Sequence, residues 1–268
     1  MIDSPYRAKP GKKHNLAEIS TSDTGKFRDK ADAAKSMDHN LKRMTKLQEL
    51  LYAQGKHALL IVLQAMDTGG KDGAIEHVFS SVNPQGCDVT SFKQPTHLEL
   101  RHDFLWRIHQ AAPAKGMIEI FNRSHYESVL VERVHNLVPK GVWSKRYDRI
   151  NEFEKMLVDE GTVILKFFLH ISKDEQEKRL QARLDDKKRH WKFDPNDLSE
   201  RKRWDEYREA YEEALRKCST KYAPWYIVPA DHKWFRNWVL SDTIVRAMEK
   251  LRMDYPPAPE GLDQIKIV

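Results

Sequence analysis

Residues 58–63, Ala58-Leu59-Leu60-Ile61-Val62-Leu63, form an apolar run without alternation, and a glycine-rich turn follows it at once. A strand that is apolar on both faces has to be covered on both faces, so it belongs inside a sheet enclosed by helical layers. The turn reads Gln64-Ala65-Met66-Asp67-Thr68-Gly69-Gly70-Lys71-Asp72-Gly73, and helical spacing resumes with Ala74-Ile75-Glu76-His77-Val78-Phe79. Strand, loop and helix therefore succeed one another within about twenty residues.

The alternation continues along the chain. Before the strand, Met37, Leu41, Met44, Leu47 and Leu51 recur at three- and four-residue steps, which predicts an amphipathic helix over residues 30–53 closed by Gly55. After it, strands are expected at 87–92, 117–121, 162–171 and 225–228, and helices at 98–111, 126–136, 149–159, 174–184, 199–217 and 233–251. This order predicts an α/β fold with a mainly parallel sheet and helices on both faces.

Composition bounds the function classes. The chain has 268 residues, 40% of them hydrophobic with seven Trp, which suits a globular core and excludes disorder. No apolar run approaches the ~18 residues that span a bilayer, and the first residues lack the pattern of a secretory signal, so no membrane partner is expected. Cys87 and Cys218 make no disulfide framework, which suits a reducing cytoplasm. Lys and Arg number 46 against 40 Asp and Glu, a net charge of +6 that implies anionic partners. Half of that surplus sits in residues 1–30, with seven basic and four acidic residues. Residues 1–29 thus read as a solvated basic arm, residues 30–254 as the folded domain, and the Pro-rich residues 255–268 as an extended surface tail.

Ligands of open parallel sheets bind beyond the carboxyl ends of strands, where the loop 64–73 stands ahead of a helix N-terminus. Gly69, Gly70 and Gly73 would let backbone amides turn onto phosphate oxygens, and Lys71 would add a point charge. The loop departs twice from G-x-x-x-x-G-K-[ST], with Ala65 for the first Gly and Asp72 for the Ser/Thr. Asp67 is a carboxylate within an anion cradle, which makes it a candidate metal ligand or general base.

A second constellation, Phe121-Asn122-Arg123-Ser124-His125-Tyr126-Glu127, ends another strand. Asn122 occupies the place where a Walker-B acid would be sought, Glu127 could return a carboxylate to the same metal, and Arg123 would face phosphates. Asn122 and Ser124 are also helix-capping types. A third segment, 183–198, is a basic connection with Arg183, Lys187, Lys188, Arg189 and Lys192, read either as a solvated face or as a lid closing over phosphates. Asp197 with Glu200 suggests the capping of the next helix, and Trp204, Tyr207, Tyr211, Leu215 and Cys218 its buried stripe. His102 and His109 are expected seven apart on one helix, without zinc spacing.

These loops, together with Pro95-Thr96, Val131-Glu132-Arg133 and the lid, resemble polyphosphate kinase family 2 over residues 30–250. The resemblance implies a P-loop kinase fold similar to thymidylate kinase, with a helical lid, that moves phosphate reversibly between inorganic polyphosphate and nucleotides. It implies that Asp67 binds Mg²⁺ and helps deprotonate the accepting phosphate, and that Lys71 holds phosphate. Arg123, Arg133, Arg183, Lys187 and Arg189 would line the polyphosphate path, and Glu127 would share the metal. Mn²⁺ suits the same oxygen ligands. Members often carry Asp in place of Asn122 and a neutral residue in place of Glu127. The paired exchange here is similar to the subgroup that phosphorylates nucleoside mono- and diphosphates, so AMP and ADP, or GMP and GDP, are the expected acceptors. A homo-oligomer is compatible with this reading. The alternatives are an ATP-dependent nucleoside-monophosphate or small-molecule kinase and a basic nucleic-acid-binding module. The missing Ser/Thr after Lys71 speaks against the first, and the want of a stacking sheet or motif against the second.

Overall fold

A computed structural model describes residues 2–262, 265 and 267. In chain order the elements are α1 (Lys30–Gln54), β1 (Ala58–Ala65), α2 (Lys71–Val78), β2 (Cys87–Ser91), α3 (Trp106–Gln110), β3 (Ile118–Asn122), α4 (Val131–Val134) and α5 (Lys140–Asp159). There follow β4 (Thr162–His170), α6 (Lys173–Asp185), α7 (Asn196–Lys202), α8 (Trp204–Cys218), β5 (Trp225–Pro229) and α9 (Lys233–Glu249). The strands form one sheet in the order β2-β3-β1-β4-β5, and each neighbouring pair is parallel.

The apolar run is the central strand, and every residue of β1 is buried. Its side chains alternate between two cores. Leu59, Ile61 and Leu63 face α1 and α9, while Leu60 and Val62 face α5 and α8. This is an α/β architecture, a parallel sheet with helices on both faces. No helix among the described residues is long and apolar enough to cross a membrane.

Register places the functional loops side by side. Leu63 of β1 stands opposite Asn122 of β3, and the Arg123 amide donates to the Leu63 carbonyl at 3.1 Å. The loops after β1 and β3 therefore leave the sheet together.

Several expected elements are broken by side-chain capping. The helix expected over 98–111 becomes a 3₁₀ turn at Glu99–Arg101 and the short α3. Thr96 and Glu99 cap one another reciprocally, at 2.6 and 3.3 Å, and Asp103 starts a second turn by accepting the Leu105 amide at 2.9 Å. Such side chains compete with a continuous backbone ladder. His102 and His109 consequently do not share one helix; His102 stacks on Trp106. The 126–136 helix is likewise divided into a 3₁₀ turn, His125–Ser128, and α4. Asp197 is not a cap: it lies inside α7, and Asp194 accepts the Asn196 amide instead.

The reading of residues 1–29 as a solvated arm is corrected by their packing. Ile2, Ala8, Leu16 and Phe27 are buried. The Ile227 amide donates to Tyr6 at 2.7 Å and the Ala8 amide to Trp225 at 2.8 Å, so the segment covers the free edge of β5. His170 bonds the Leu16 and Ile19 carbonyls, and Thr21 bonds Asp231. Hydrophobic residues set among its charges anchor this strap. In the tail, residues 255–262 are exposed, with the Tyr255 hydroxyl donating to Glu49 at 2.8 Å; residues 263, 264, 266 and 268 of the expected tail lie outside the described residues.

Candidate active site

The loop after β1 turns tightly. The Gly69 amide donates to Met66 at 3.0 Å, Thr68 and Gly70 take left-handed backbone angles (φ 59° and 92°), and α2 begins at Lys71. A Cβ on Gly69 would lie 2.4 Å from that of Ala65, and one on Gly70 would lie 2.0 Å from Nη1 of Arg236, so only glycine fits at either place. From α6, Gln176 donates to the Asp67 carbonyl at 3.0 Å and Arg179 to the Thr68 carbonyl at 3.1 Å. These bonds direct the loop carbonyls away from the α2 N-terminus, where free amides and the helix dipole attract anions.

Over this loop stands a charged trio. Arg123, itself left-handed at φ 62°, reaches Asp67 at 3.1 Å through Nη2 and Glu127 at 3.4 Å through Nη1. The guanidinium side chain is 42% exposed against 23% and 17% for the carboxylates, so an incoming anion can meet it. Glu127 and Asp67 hold the Arg123 pKa above its ordinary value. Lys71 begins the helix beside them. Burial and Arg123 push its ammonium pKa down, whereas Asp67, Glu127 and Asp72 pull it up. A phosphate joining Lys71 and Arg123 would relieve their mutual repulsion.

The trio is held from behind. Gln64 donates to Glu127 at 2.8 Å and accepts from Ser124 at 3.3 Å, and Ser124 also caps the 3₁₀ turn that carries Glu127. That turn sends His125 and Tyr126 into the core, where both meet Glu154 of α5, at 3.2 and 2.9 Å. Glu154 in turn pairs with the wholly buried Lys166 of β4 at 2.5 Å, and Lys166 also bonds Tyr126 at 2.8 Å and the Cys218 carbonyl at 2.7 Å. Asn122 is not a helix cap: its amide donates to Asp72 at 2.8 Å. Asp72, in the place of a P-loop Ser/Thr, is thereby tied to the Walker-B position.

The structure brings Asp67, Lys71, Asp72, Asn122, Arg123 and Glu127 together around Gly69, Gly70 and Gly73. Arg183 stands at the edge, bonded to Asp197 at 3.0 Å and to the Lys192 carbonyl at 2.9 Å. Burial, with Asp67 nearby, pushes the Asp197 carboxyl up to about 6. Lys187 and Arg189 are exposed on a 3₁₀ turn, Arg189 pairing with Asp186 at 3.0 Å. Arg133 is committed elsewhere: it pairs with Glu213 at 2.6 Å, bonds the Tyr147 hydroxyl at 3.2 Å and lies over Trp143. Gln64, Gln176, Arg179 and Arg236 were not singled out by sequence reasoning. Arg179 is one turn from Arg183 and so shows a faint periodic signal; Arg236 shows none, because its contact with Gly70 spans 166 residues.

Comparison with known proteins finds relatives over nearly the whole chain. Residues 27–256 match the family Polyphosphate kinase 2 (PPK2). The AMP/ADP-polyphosphate phosphotransferase of Meiothermus ruber is 54% identical over 263 residues, which cover 98% of each chain. The ADP-polyphosphate phosphotransferase of Rhodopseudomonas palustris is 45% identical, over 94% of this chain and 91% of that one. Among solved structures, polyphosphate kinase 2 from Arthrobacter aurescens TC1 superposes with a TM-score of 0.91 at 41% identity, covering 98% of this chain and 97% of that one. A glycine-rich loop after the central strand, faced by an arginine between two carboxylates, and matches over nearly the whole length lead to one assignment: the chain belongs to the polyphosphate kinase 2 family.

Proposed function

We propose that the chain is a polyphosphate:AMP/ADP phosphotransferase, moving phosphoryl groups reversibly between inorganic polyphosphate and adenine nucleotides. The observation that carries this reading is the Arg123 guanidinium held between Asp67 and Glu127 beside Lys71, in a chain of this family. In the forward direction a terminal oxygen of ADP or AMP forms a bond to the end phosphorus of polyphosphate. The bond from that phosphorus to its bridging oxygen breaks, and the electron pair leaves with the shortened chain. With either acceptor one phosphoanhydride replaces another, so concentrations set the direction.

Phosphoryl transfer needs alignment and charge neutralisation more than covalent help. The α2 amides and Lys71 hold the transferring phosphate, and Arg123 neutralises its equatorial oxygens. Asp67 orients the accepting oxygen and takes its proton where it carries one. Arg183, freed from Asp197 as a phosphate arrives, closes the lid side of the site.

The donor set also fits Mg²⁺. Two partly exposed carboxylates, Asp67 and Glu127, share the site, and among the described residues no group of three or more His, Cys, Asp or Glu side chains forms a cage that could hold a metal alone. Mg²⁺ is characteristically held by one or two carboxylates together with substrate phosphates and water. Asp67 and Glu127 would hold it, and the ion would supply charge neutralisation for the bound phosphates; Mn²⁺ suits the same oxygens. Guanine nucleotides are proposed as further acceptors.

The test is purified protein with AMP, ADP, GMP or GDP in parallel, Mg²⁺ and long-chain polyphosphate, with no ATP added. New ATP from ADP is expected, and its absence would overturn the reading. Omitting Mg²⁺ should abolish product, and undiminished turnover in chelator would refute the metal proposal.

A further inference from the structure

Gln64 is the one polar side chain of β1, and it is wholly buried near the strand's carboxyl end. Its amide is engaged on every side. Nε2 donates to Oε1 of Glu127 at 2.8 Å, Oε1 accepts from the Ser124 hydroxyl at 3.3 Å, and Tyr211 of α8 shares a further side-chain hydrogen bond with it. The Ser124 hydroxyl accepts from the Tyr126 amide at 3.1 Å, which leaves its own proton for Gln64. An ionised carboxylate only accepts, so the nitrogen of Gln64 must face Glu127 and the oxygen must face Ser124. The amide therefore has one favourable orientation.

On its other side, Glu127 meets Arg123 through a single long contact. Its Oε2 stands 3.4 Å from Nη1, while Nη2 of the same guanidinium reaches Asp67 at 3.1 Å. An unrestrained carboxylate beside an arginine favours the two-bond fork, with both oxygens on one guanidinium. Gln64 withholds the second oxygen from that fork by a shorter bond from behind. A neutral amide does this without cancelling the charge of Glu127, as a lysine or arginine would, and without repelling it, as a second carboxylate would.

We propose that Gln64 is a positioning residue: it keeps Glu127 from closing onto Arg123 as a two-oxygen pair, and so leaves the arginine open to phosphate and the carboxylate open to a divalent cation. The inference rests on the reading of Asp67 and Glu127 as the holders of Mg²⁺. Buried behind the site, Gln64 acts only through Glu127. Groups that orient a metal ligand from behind in this way govern how tightly the metal is held.

The test is Gln64→Met, which keeps the volume and removes the hydrogen bonds. Mn²⁺ serves as the probe, and its binding to the full chain with ADP and no polyphosphate is followed by paramagnetic resonance of the free ion. The Kd for Mn²⁺ should rise about tenfold. In turnover, the Mg²⁺ concentration that gives half the maximal rate should rise with it, and saturating Mg²⁺ should return kcat toward wild type. A packing defect would instead lower kcat at every Mg²⁺ concentration. Because Gln64 acts through Glu127, Gln64→Met placed on Glu127→Gln should weaken Mn²⁺ binding no further than Glu127→Gln alone. Gln64→Asn keeps an amide but draws it back by one methylene; it should raise the Kd in the same sense, and it decides the matter if Gln64→Met does not fold. A Kd within about twofold of wild type in the folded variants, a kcat deficit that Mg²⁺ does not relieve, or losses that add in the double variant overturn the proposal. A wild type that binds no Mn²⁺ with ADP refutes the metal reading and this inference together. A wild type that binds it, with variants that bind it equally well, refutes this inference alone.

Discussion

At the scale of single residues, the site depends on which atoms of a residue are engaged. Asp67 serves the fold through its backbone carbonyl, held by Gln176, and serves chemistry through its carboxylate, which faces Arg123. Asp67→Asn keeps the first and changes the second. Transfer from polyphosphate to ADP should fall by about a hundredfold or more, with the thermal midpoint little moved; wild-type turnover by the folded variant would refute the assigned role. Residue types identified Asp67, Lys71, Arg123 and Glu127 as candidates, since charge within a glycine-rich loop or at a strand's carboxyl end is visible locally. The Asn122–Asp72 bond was not visible, although both residues drew attention as departures from a pattern. Each departure read alone looks like a lost metal ligand, whereas the two together make a hydrogen bond across neighbouring loops.

At the scale of elements, strands were more legible than helices. A buried parallel strand announces itself as a short apolar run, and β1, β4 and β5 emerged close to expectation. The helices expected over 98–111 and 126–136 do not run through, because capping side chains at Thr96, Glu99, Asp103 and Ser124 divide the backbone, and Leu98 and Leu100 stay exposed. The division has a use, since the 3₁₀ turn His125–Ser128 aims Glu127 outward and His125 and Tyr126 inward. The anchor for that turn is Lys166, a cation inside β4 that hydropathy alone would place in no core. Lys166→Met leaves Glu154 buried with its charge uncompensated, which should cost about 3–5 kcal/mol. Adding Glu154→Gln removes that charge while keeping acceptors for His125 and Tyr126, and should recover part of the loss in denaturant titrations. A double variant weaker than Lys166→Met alone would show that the pair is not what stabilises this turn.

At the scale of the whole molecule, buried histidines couple stability to pH. His125 joins the sheet to α5, and His170 joins β4 to the N-terminal strap; burial lowers the pKa of both below the ordinary 6.5. The unfolded chain then takes up protons near pH 6.5 that the folded chain refuses, so stability is lost as pH falls through that value. Asp197, raised to about 6, and Glu119, also raised, act in the opposite sense at lower pH. The histidine effect should therefore be clearest between about pH 7.5 and 6, as a falling thermal midpoint that flattens in His170→Asn. A wild-type midpoint that is level across this interval would overturn the assignment of these histidines as neutral in the fold.

The strap itself marks where sequence reading ends. Residues 1–29 carry enough charge to read as solvated, and only β5, more than 200 residues later, offers the backbone edge that they cover. The sequence by itself determined the order of strands and helices, the central strand and the loop that follows it, because burial on one or both faces is written into neighbouring residues. Tertiary structure alone decided what the loop meets. That Arg236 fills the space beside Gly70, its Nη1 2.0 Å from the place of the absent Cβ, that Arg133 spends its charge on Glu213, and that Arg123 spans Asp67 and Glu127 all depend on chain segments brought together by the sheet. The physical reason is range: propensity and periodicity act over a few residues, whereas the energy of a charge depends on every group that packing sets around it.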